Sequence, residues 1–210
     1  MTLSISGDAL DPQSVKGFLA HDEGEALADF AAQAADLASG PMVEIGSWCG
    51  RSSVYLGRAA RDAGRILFAI DHHRGSEEHQ PGEGYHDPDL FDAELGKVDT
   101  LPALRRTLAL ADLERSVIPV VGRSADIGAA WSAPLSFVFI DGGHAMETTL
   151  GDYRAWAGHV QRGGLLAIHD VFPNPEDGGR PPYEIWRMAV ASHLFEPVKR
   201  INTLEILRRV

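Results

Sequence analysis

The sequence has few of the features that mark secreted, membrane-spanning or nucleic-acid-binding proteins. Cys49 is its single cysteine, which excludes an internal disulfide and fits a reducing compartment. No apolar run approaches the ~20 residues of a membrane span, and the first residues lack the basic and apolar regions of a signal peptide. The 19 Lys and Arg against 30 Asp and Glu give a net charge of -11, which argues against nucleic-acid binding because phosphate affinity needs clustered cations. We therefore expect a cytoplasmic protein that binds neither membrane nor nucleic acid.

Five short apolar runs alternate with helical patterns through the middle of the chain. The runs read MVEIG, RILFAID, SVIPVVG, LSFVFID and GGLLAIHD. They are continuous rather than alternating, which is typical of strands buried on both faces, and helical patterns occupy residues 89–111, 124–131 and 146–159. This order predicts an α/β protein with a doubly wound, mostly parallel sheet.

The two ends of the chain extend this core without adding a second domain. Residues 14–38 repeat apolar side chains near helical spacing, so residues 1–40 are expected to form a helical extension before a core at 41–172. Residues 173–210 predict one helix and two strands joined around Asn202, and so short a link implies an antiparallel hairpin that brings the sheet to seven strands. The polar stretch between Asp71 and Asp89 contains four histidines and predicts a long loop.

The candidate functional residues lie at the strand ends, because ligands of doubly wound sheets bind outside the carboxyl ends of the strands. After the first strand, Gly46 and Gly50 allow a tight turn that leads into a helix N-terminus. The turn does not match the dinucleotide fingerprint Gly-x-Gly-x-x-Gly, since Trp48 and Arg51 stand where that fingerprint needs small residues. The second strand ends at Asp71, where a carboxylate can accept both hydroxyls of a ribose.

These motifs resemble those of class I S-adenosylmethionine-dependent methyltransferases. The matching stretches are VEIGSWCGRSS, FAIDHH, FVFIDGGH and GGLLAIHD. The helical segment before the first motif and the IDGGH…DY block resemble, more narrowly, a bacterial O-methyltransferase-like subfamily, methyltransferase family 24-like. The resemblance implies a Rossmann-like fold and S-adenosylmethionine as cofactor. The cofactor-binding residues that it implies are Glu44, Gly46, Ser47, Gly50, Ser52, Ser53, Asp71, His72, Gly122, Arg123, Ser124 and Asp141. Ser124 has a second interpretation as the N-cap of the following helix.

The remaining candidate residues at the strand ends are assigned to the side of the site that would bind the methyl acceptor. They are Asp141, His144, His169 and Asp170. Two carboxylates at one sheet edge repel each other unless they are protonated, separated or neutralised by a cation. A single divalent metal ion would neutralise both. Metal-dependent O-methyltransferases of the superfamily use a strand-terminal Asp plus an acid–acid or acid–amide pair at the end of the next strand. In this chain the pair is His169-Asp170, and imidazole suits Zn²⁺, Fe²⁺ or Mn²⁺ better than Mg²⁺. The hypothesis is therefore a metal site of Asp141, His169 and Asp170, for Mg²⁺ or another divalent ion. His144 is the candidate general base beside Asp141, and the alternative is a structural bond to a loop carbonyl or to the helix near Met146.

The function that follows from the resemblance is O-methylation of a small-molecule hydroxyl. One alternative is an NAD-dependent oxidoreductase, which shares the fold and the acid on the ribose but predicts the glycine fingerprint that is missing here. A second alternative is a catalytically degenerate cofactor-binding or partner module. The expected partner is a small-molecule acceptor, with a homodimer or higher homo-oligomer as a further expectation.

Overall fold

Seven strands form the central sheet of the computed structural model, which describes residues 10–174, 176 and 180–210. In chain order they are β1 Met42–Ile45, β2 Leu67–Asp71, β5 Val117–Val121, β6 Leu135–Ile140, β7 Val160–Ile168, β8 Phe195–Ile201 and β9 Leu204–Arg209. Two short strands, β3 Phe91–Asp92 and β4 Lys97–Val98, pair separately as an antiparallel ribbon. The order across the large sheet is β5-β2-β1-β6-β7-β9-β8. Its first five strands run parallel, and β9 and β8 add the C-terminal antiparallel hairpin, which confirms the predicted fold class.

Six helices cover both faces of this sheet. They are α1 His21–Leu37, α2 Arg51–Asp62, α3 Leu101–Leu110, α4 Ser124–Ala129, α5 Met146–Trp156 and α6 Arg180–Ala191. Because successive strand residues point to opposite faces, β6 serves two cores. Phe137 and Phe139 pack in the core under α1, α2 and α3, whereas Val138 and Ile140 pack in the core under α5 and α6. None of the helices in the described residues is both long and apolar enough to cross a bilayer.

The N-terminal extension differs from the prediction in where its helix begins. Residues 14–38 were expected to be helical, but Pro12–Ser14 forms one 3-10 turn and α1 begins only at His21. Between these, the side chain of Arg51 donates hydrogen bonds to the carbonyls of Val15 and Leu19. Those carbonyls are thus used by the next helix of the core instead of by helical turns of their own.

The helix expected over 89–111 is also shorter in the structure. Pro88–Leu90 is a 3-10 turn, the β3–β4 ribbon follows, and α3 begins only at Leu101. Pro102 stands in the first turn of α3, the one helical position that tolerates proline because no intrahelical N–H bond is lost there.

Candidate functional site

The carboxyl ends of β2, β1, β6 and β7 open into one cavity of about 1330 Å³. The chain continues from β1 to β2 on one side and reaches β6, the other neighbour of β1, only later, so this edge is the topological switch point of the sheet. Asp71 lies on one side of the cavity, and Asp141, His144 and Asp170 lie on the other. The structure therefore brings together the strand ends that the sequence singled out.

The glycine turn, residues 46–50, depends on the missing side chains of its two glycines. Gly46 has φ +89°, and a Cβ added there would come within 1.9 Å of the Asp141 carbonyl oxygen. Gly50 has φ +96°, and a Cβ there would meet the side chain of Leu104 at 2.8 Å. The first glycine thus lets β1 and β6 approach each other at the cavity, and the second lets α2 start against α3.

Four of the predicted cofactor-binding residues lie around the glycine turn at different depths. Glu44 is fully buried and accepts a hydrogen bond of 2.5 Å from the Ser53 hydroxyl, so these two side chains support the turn from beneath. Burial raises the pKa of Glu44 to about 7, although its hydrogen bonds with Ser52 and Ser53 oppose the shift. Ser47 and Ser52 line the cavity, and the buried Ser47 hydroxyl has no hydrogen-bond partner among the residues that the structure describes.

Asp71 is held in a fixed orientation by the backbone. Its Oδ2 accepts a hydrogen bond from the Trp48 N–H at 2.8 Å, and its Oδ1 accepts one from the His73 N–H at 2.7 Å. Each carboxylate oxygen has a second lone pair, so both oxygens keep the capacity to accept another donor. The exposed His72 follows directly and lines the same side of the cavity.

The segment after β5 completes this side of the cavity. Gly122, Arg123 and Ser124 line it, and Gly122 N–H donates to the Asp71 carbonyl at 3.1 Å. The N-cap of α4 is Arg123 rather than Ser124. The Ser124 hydroxyl instead accepts a hydrogen bond of 2.7 Å from the indole Nε1 of Trp156. Of the two interpretations of Ser124, the structure therefore does not support the N-cap.

On the opposite side, six side chains form what we call the carboxylate–imidazole network: Glu23, Glu78, Asp141, His144, His169 and Asp170. His169, 5% exposed, lies at its centre: Nδ1 is 3.1 Å from Asp141 Oδ1, and Nε2 is 3.0 Å from Glu23 Oε2. Burial alone would lower the pKa of His169, but the surrounding carboxylates outweigh it and raise this pKa well above its usual value. A positively charged His169 thus neutralises the carboxylates around it.

His144 occupies the outer part of the network. Its Nε2 is 2.9 Å from Asp170 Oδ2, and its Nδ1 is 3.5 Å from Glu78 Oε1. The hydrogen bond with Asp170 raises the pKa of His144 above its usual value, and burial only partly offsets this. For Asp170, burial would raise the pKa, but the two histidines outweigh it and lower the pKa instead.

Two members of the network, Glu23 and Glu78, were not among the sequence-predicted site residues. Glu23 lies on α1 and is buried, and its Oε1 accepts hydrogen bonds of 2.9 Å from the N–H and the hydroxyl of Thr203. A carboxylate inside an otherwise apolar helix face was the one signal that could have indicated it. Glu78 belongs to the polar loop, where its sequence neighbours are equally polar and give no such signal.

Two rings of the polar loop, His79 and Tyr85, pack with Phe18 of the N-terminal segment and Trp48 of the glycine turn in one aromatic cluster. The rings of Trp48 and His79 are 4.2 Å apart, and those of Phe18 and Tyr85 meet edge to face at 5.4 Å. Lys16 binds both Asp87 and Asp89 of this loop, at 2.6 and 2.9 Å. The stretch predicted as a plain long loop is thus tied to the N-terminal segment and borders the cavity.

The donor set at the ends of β6 and β7 fits a divalent metal ion. Asp141, His169 and Asp170 each offer one ligand atom, and these atoms lie within 4.8 Å of one another. Because Glu23 faces Nε2 of His169, the Nδ1 atom is the one directed toward the two aspartates. A carboxylate on the far nitrogen is the usual support of a metal-bound histidine. The same atoms can therefore hold either a proton on His169 Nδ1 or a metal ion.

Residues 43–171 match the family model described as "Methyltransferase domain". The match covers more than half of the chain and contains the three strand ends with aspartates on the cavity, at Asp71, Asp141 and Asp170. The chain belongs to this methyltransferase family. The glycine turn and Asp71 of this methyltransferase therefore lie within the matched region, whereas Glu23 and the C-terminal hairpin lie outside it.

Solved structures of methyltransferases share the fold of this protein at low sequence identity. The O-methyltransferase TomG from Streptomyces achromogenes, solved in complex with SAM, is 16% identical, with a TM-score of 0.64 over 92% of this chain and 82% of its own. An O-methyltransferase from Bacillus cereus in complex with SAH is 13% identical, with a TM-score of 0.64 over 94% and 86%. The SAH-bound methyltransferase from Podospora anserina is 12% identical, with a TM-score of 0.64 over 92% and 80%.

Proposed function

We propose that this methyltransferase transfers a methyl group from S-adenosylmethionine to a hydroxyl oxygen of a small molecule. The observation that carries the proposal is the division of one cavity between the oriented Asp71 carboxylate and the carboxylate–imidazole network. Family membership, and the SAM and SAH bound to the solved structures of similar fold, support the choice of methyl donor.

The donor would lie along the Asp71 side of the cavity. Asp71 has the geometry to accept the two ribose hydroxyls, since both its oxygens keep a free lone pair beside their bonds to backbone N–H groups. The backbone of the glycine turn and the N-terminus of α2 would take the methionine part, with Ser47 and Ser52 lining the cavity beside it. The segment 122–124 would border the adenine.

The acceptor hydroxyl would lie against the network, with His144 as its base. Asp170 fixes the imidazole through Nε2, and Nδ1, which lies 3.5 Å from Glu78 Oε1, would take the hydroxyl proton while the oxygen bonds to the methyl carbon and the sulfur keeps the electron pair of the broken bond. The bond to Asp170 raises the pKa of His144 and so makes the neutral imidazole a stronger base. The products are a methyl ether and S-adenosylhomocysteine.

A divalent ion is part of the proposal, with Asp141, His169 and Asp170 as the residues that would hold it. Such an ion lowers the pKa of a bound hydroxyl and fixes its position. Manganese or zinc suits the imidazole better than magnesium does. The test is calorimetric titration of the metal-stripped protein with Mn²⁺ and Mg²⁺, together with Asp141→Asn. We expect Mn²⁺ to bind the wild type and not the variant, and equal weak binding to both would remove the ion from the proposal.

The proposal is tested by calorimetry with S-adenosylmethionine, S-adenosylhomocysteine and NADH. We expect the first two to bind and NADH not to bind. Asp71→Asn should weaken S-adenosylhomocysteine binding about 10- to 100-fold, since hydrogen bonds to a charged group contribute about 1.5–3 kcal/mol. Asp62→Asn, on the exposed surface of α2, is the matched control and should leave affinity unchanged. NADH binding without S-adenosylhomocysteine binding would favour the oxidoreductase, and no binding at all would favour a degenerate module.

Transfer of a labelled methyl group to a panel of phenols, catechols and aliphatic alcohols then tests the acceptor class. Activity on amines alone would contradict the oxygen acceptor. A cytoplasmic location and assembly as a homodimer or higher homo-oligomer complete the proposal, and cell fractionation and light scattering after gel filtration test them.

A further inference from the structure

A buried carboxylate that the proposed reaction does not use is among the groups that line the cavity. Asp152 is on α5, is 4% exposed, and is among the residues that line the cavity. Its Oδ2 lies against the backbone of Gly142, where an added Cβ would come within 2.8 Å of it. The carboxylate therefore stands between the end of β6 and the segment after β5.

The surroundings of Asp152 do not neutralise it. Burial raises its pKa to about 6, while a hydrogen bond with the Ser124 side chain opposes the shift and the charge of Asp71 adds to it. Among the ion pairs of the described residues, none includes Asp152. A buried carboxylate without a cation is costly, so a donor from a bound ligand would lower that cost.

The other residues of the segment 122–126 that line the cavity offer no buried carboxylate in the part of the chain that the structure describes. Arg123 has five N–H donors and no acceptor. The hydroxyl and the carbonyl of Ser124 both accept hydrogen bonds from Trp156 Nε1, at 2.7 and 3.2 Å. Asp126 is exposed on α4. Asp152 is thus the buried acceptor next to the segment 122–124.

We propose that Asp152 accepts a hydrogen bond from the 6-amino group of the adenine and so selects the adenine nucleoside against 6-oxo purines. This inference rests on the proposed function, because it takes S-adenosylmethionine as the donor and places its adenine beside residues 122–124. A 6-oxo purine presents an oxygen at the same place, and two acceptors facing each other in a buried site repel. Sites built around a buried polar group discriminate strongly against a ligand that leaves that group unpaired.

The test compares binding of S-adenosylhomocysteine and its deaminated analogue S-inosylhomocysteine to the purified protein by calorimetry. We expect the wild type to prefer the adenine compound by about 50-fold or more. In Asp152→Asn, the side-chain amide can donate to a 6-oxo group, so the preference should fall to within a few-fold. Asp126→Asn is the matched control and should keep the wild-type preference, because Asp126 is exposed at the rim.

Each outcome bears on one proposal. If S-adenosylhomocysteine binds and the wild type does not prefer it over the inosine analogue, the assignment of Asp152 is wrong while the methyl-donor assignment stands. Loss of the preference in Asp126→Asn but not in Asp152→Asn would likewise overturn it. If S-adenosylhomocysteine does not bind the wild type, the proposed function itself fails. If Asp152→Asn does not fold, the preference for S-adenosylhomocysteine is measured in the wild type and in Ser124→Ala instead. Because Ser124 is the neighbour that orients the Asp152 carboxylate, this variant should show a weaker preference than the wild type, and an equal preference would contradict the proposal.

Discussion

The two sides of the cavity differ in how far apart in sequence the residues that form them are. The side that contains the glycine turn and Asp71 is formed largely by backbone and by residues close together in sequence, from Glu44 to His73, to which the segment 122–124 is added. The carboxylate–imidazole network instead joins side chains as far apart as Glu23 and His169, which are 146 positions apart. One side therefore depends on local steric constraints, and the other depends on tertiary packing that brings charges together.

The largest loss of stability is expected at Gly46, where the glycine-turn side of the cavity has no space for a side chain. Gly46→Ala would place a Cβ 1.9 Å from the Asp141 carbonyl oxygen, at a φ of +89° that L side chains avoid. Since neither backbone can move without separating β1 from β6, we expect a loss of more than about 4 kcal/mol in the free energy of unfolding, or failure to fold. Gly64→Ala is the control, because Gly64 has φ +64° with nothing within 4 Å, and its loss should be about 1–2 kcal/mol. Urea unfolding measures both, and equal losses would contradict the steric account.

In the carboxylate–imidazole network, we expect the free energy of unfolding to depend on the removal of one charge, even when the size of the side chain is kept. Glu23→Gln keeps the size of the side chain but leaves the buried His169 without one of its carboxylates. Breaking a buried ion pair from one side costs about 3–5 kcal/mol when the other charge is left uncompensated. Because His169 keeps Asp141 at 3.1 Å, we expect a loss of about 3 kcal/mol or somewhat less. The exposed pair of Glu25 with His21 is the matched control on the same helix, and Glu25→Gln should cost at most about 1 kcal/mol. A small loss in both variants would mean that His169 is held without Glu23.

The same contrast explains what the sequence could reveal. Apolar runs that end in glycine or aspartate predicted five strands and the sheet edge that carries Asp71 and Asp141, and the short link around Asn202 predicted the last two strands, because strand burial and turn chemistry are local properties. The starts of α1 and α3 were misplaced, since tertiary bonds from Arg51 and the intervening β3–β4 ribbon leave no periodic pattern. Glu23 was missed for the same reason, as only folding brings α1 to the end of β7.

The two sides also differ in how their stability should depend on pH, which is the smallest effect expected. Burial raises the pKa of Glu44 from its ordinary 4.5 to about 7. Between these values the folded protein keeps a proton that the unfolded chain has lost, so the contribution of Glu44 to stability decreases as the pH rises from about 4.5 to about 7. Asp170 has the opposite sign, because its lowered pKa gives a contribution that is present above its ordinary pKa and is lost in more acidic solution.

Glu44→Gln separates these two contributions. The neutral amide does not titrate, so the decrease in the free energy of unfolding between pH 4.5 and 7 should become shallower than in the wild type, whatever constant offset the variant adds. Urea unfolding at several pH values measures this slope, and the acid-side loss that belongs to Asp170 should persist in the variant. An unchanged slope would mean that Glu44 is already charged in the folded protein at acidic pH, and that the glycine turn is supported by a carboxylate anion instead of a neutral acid.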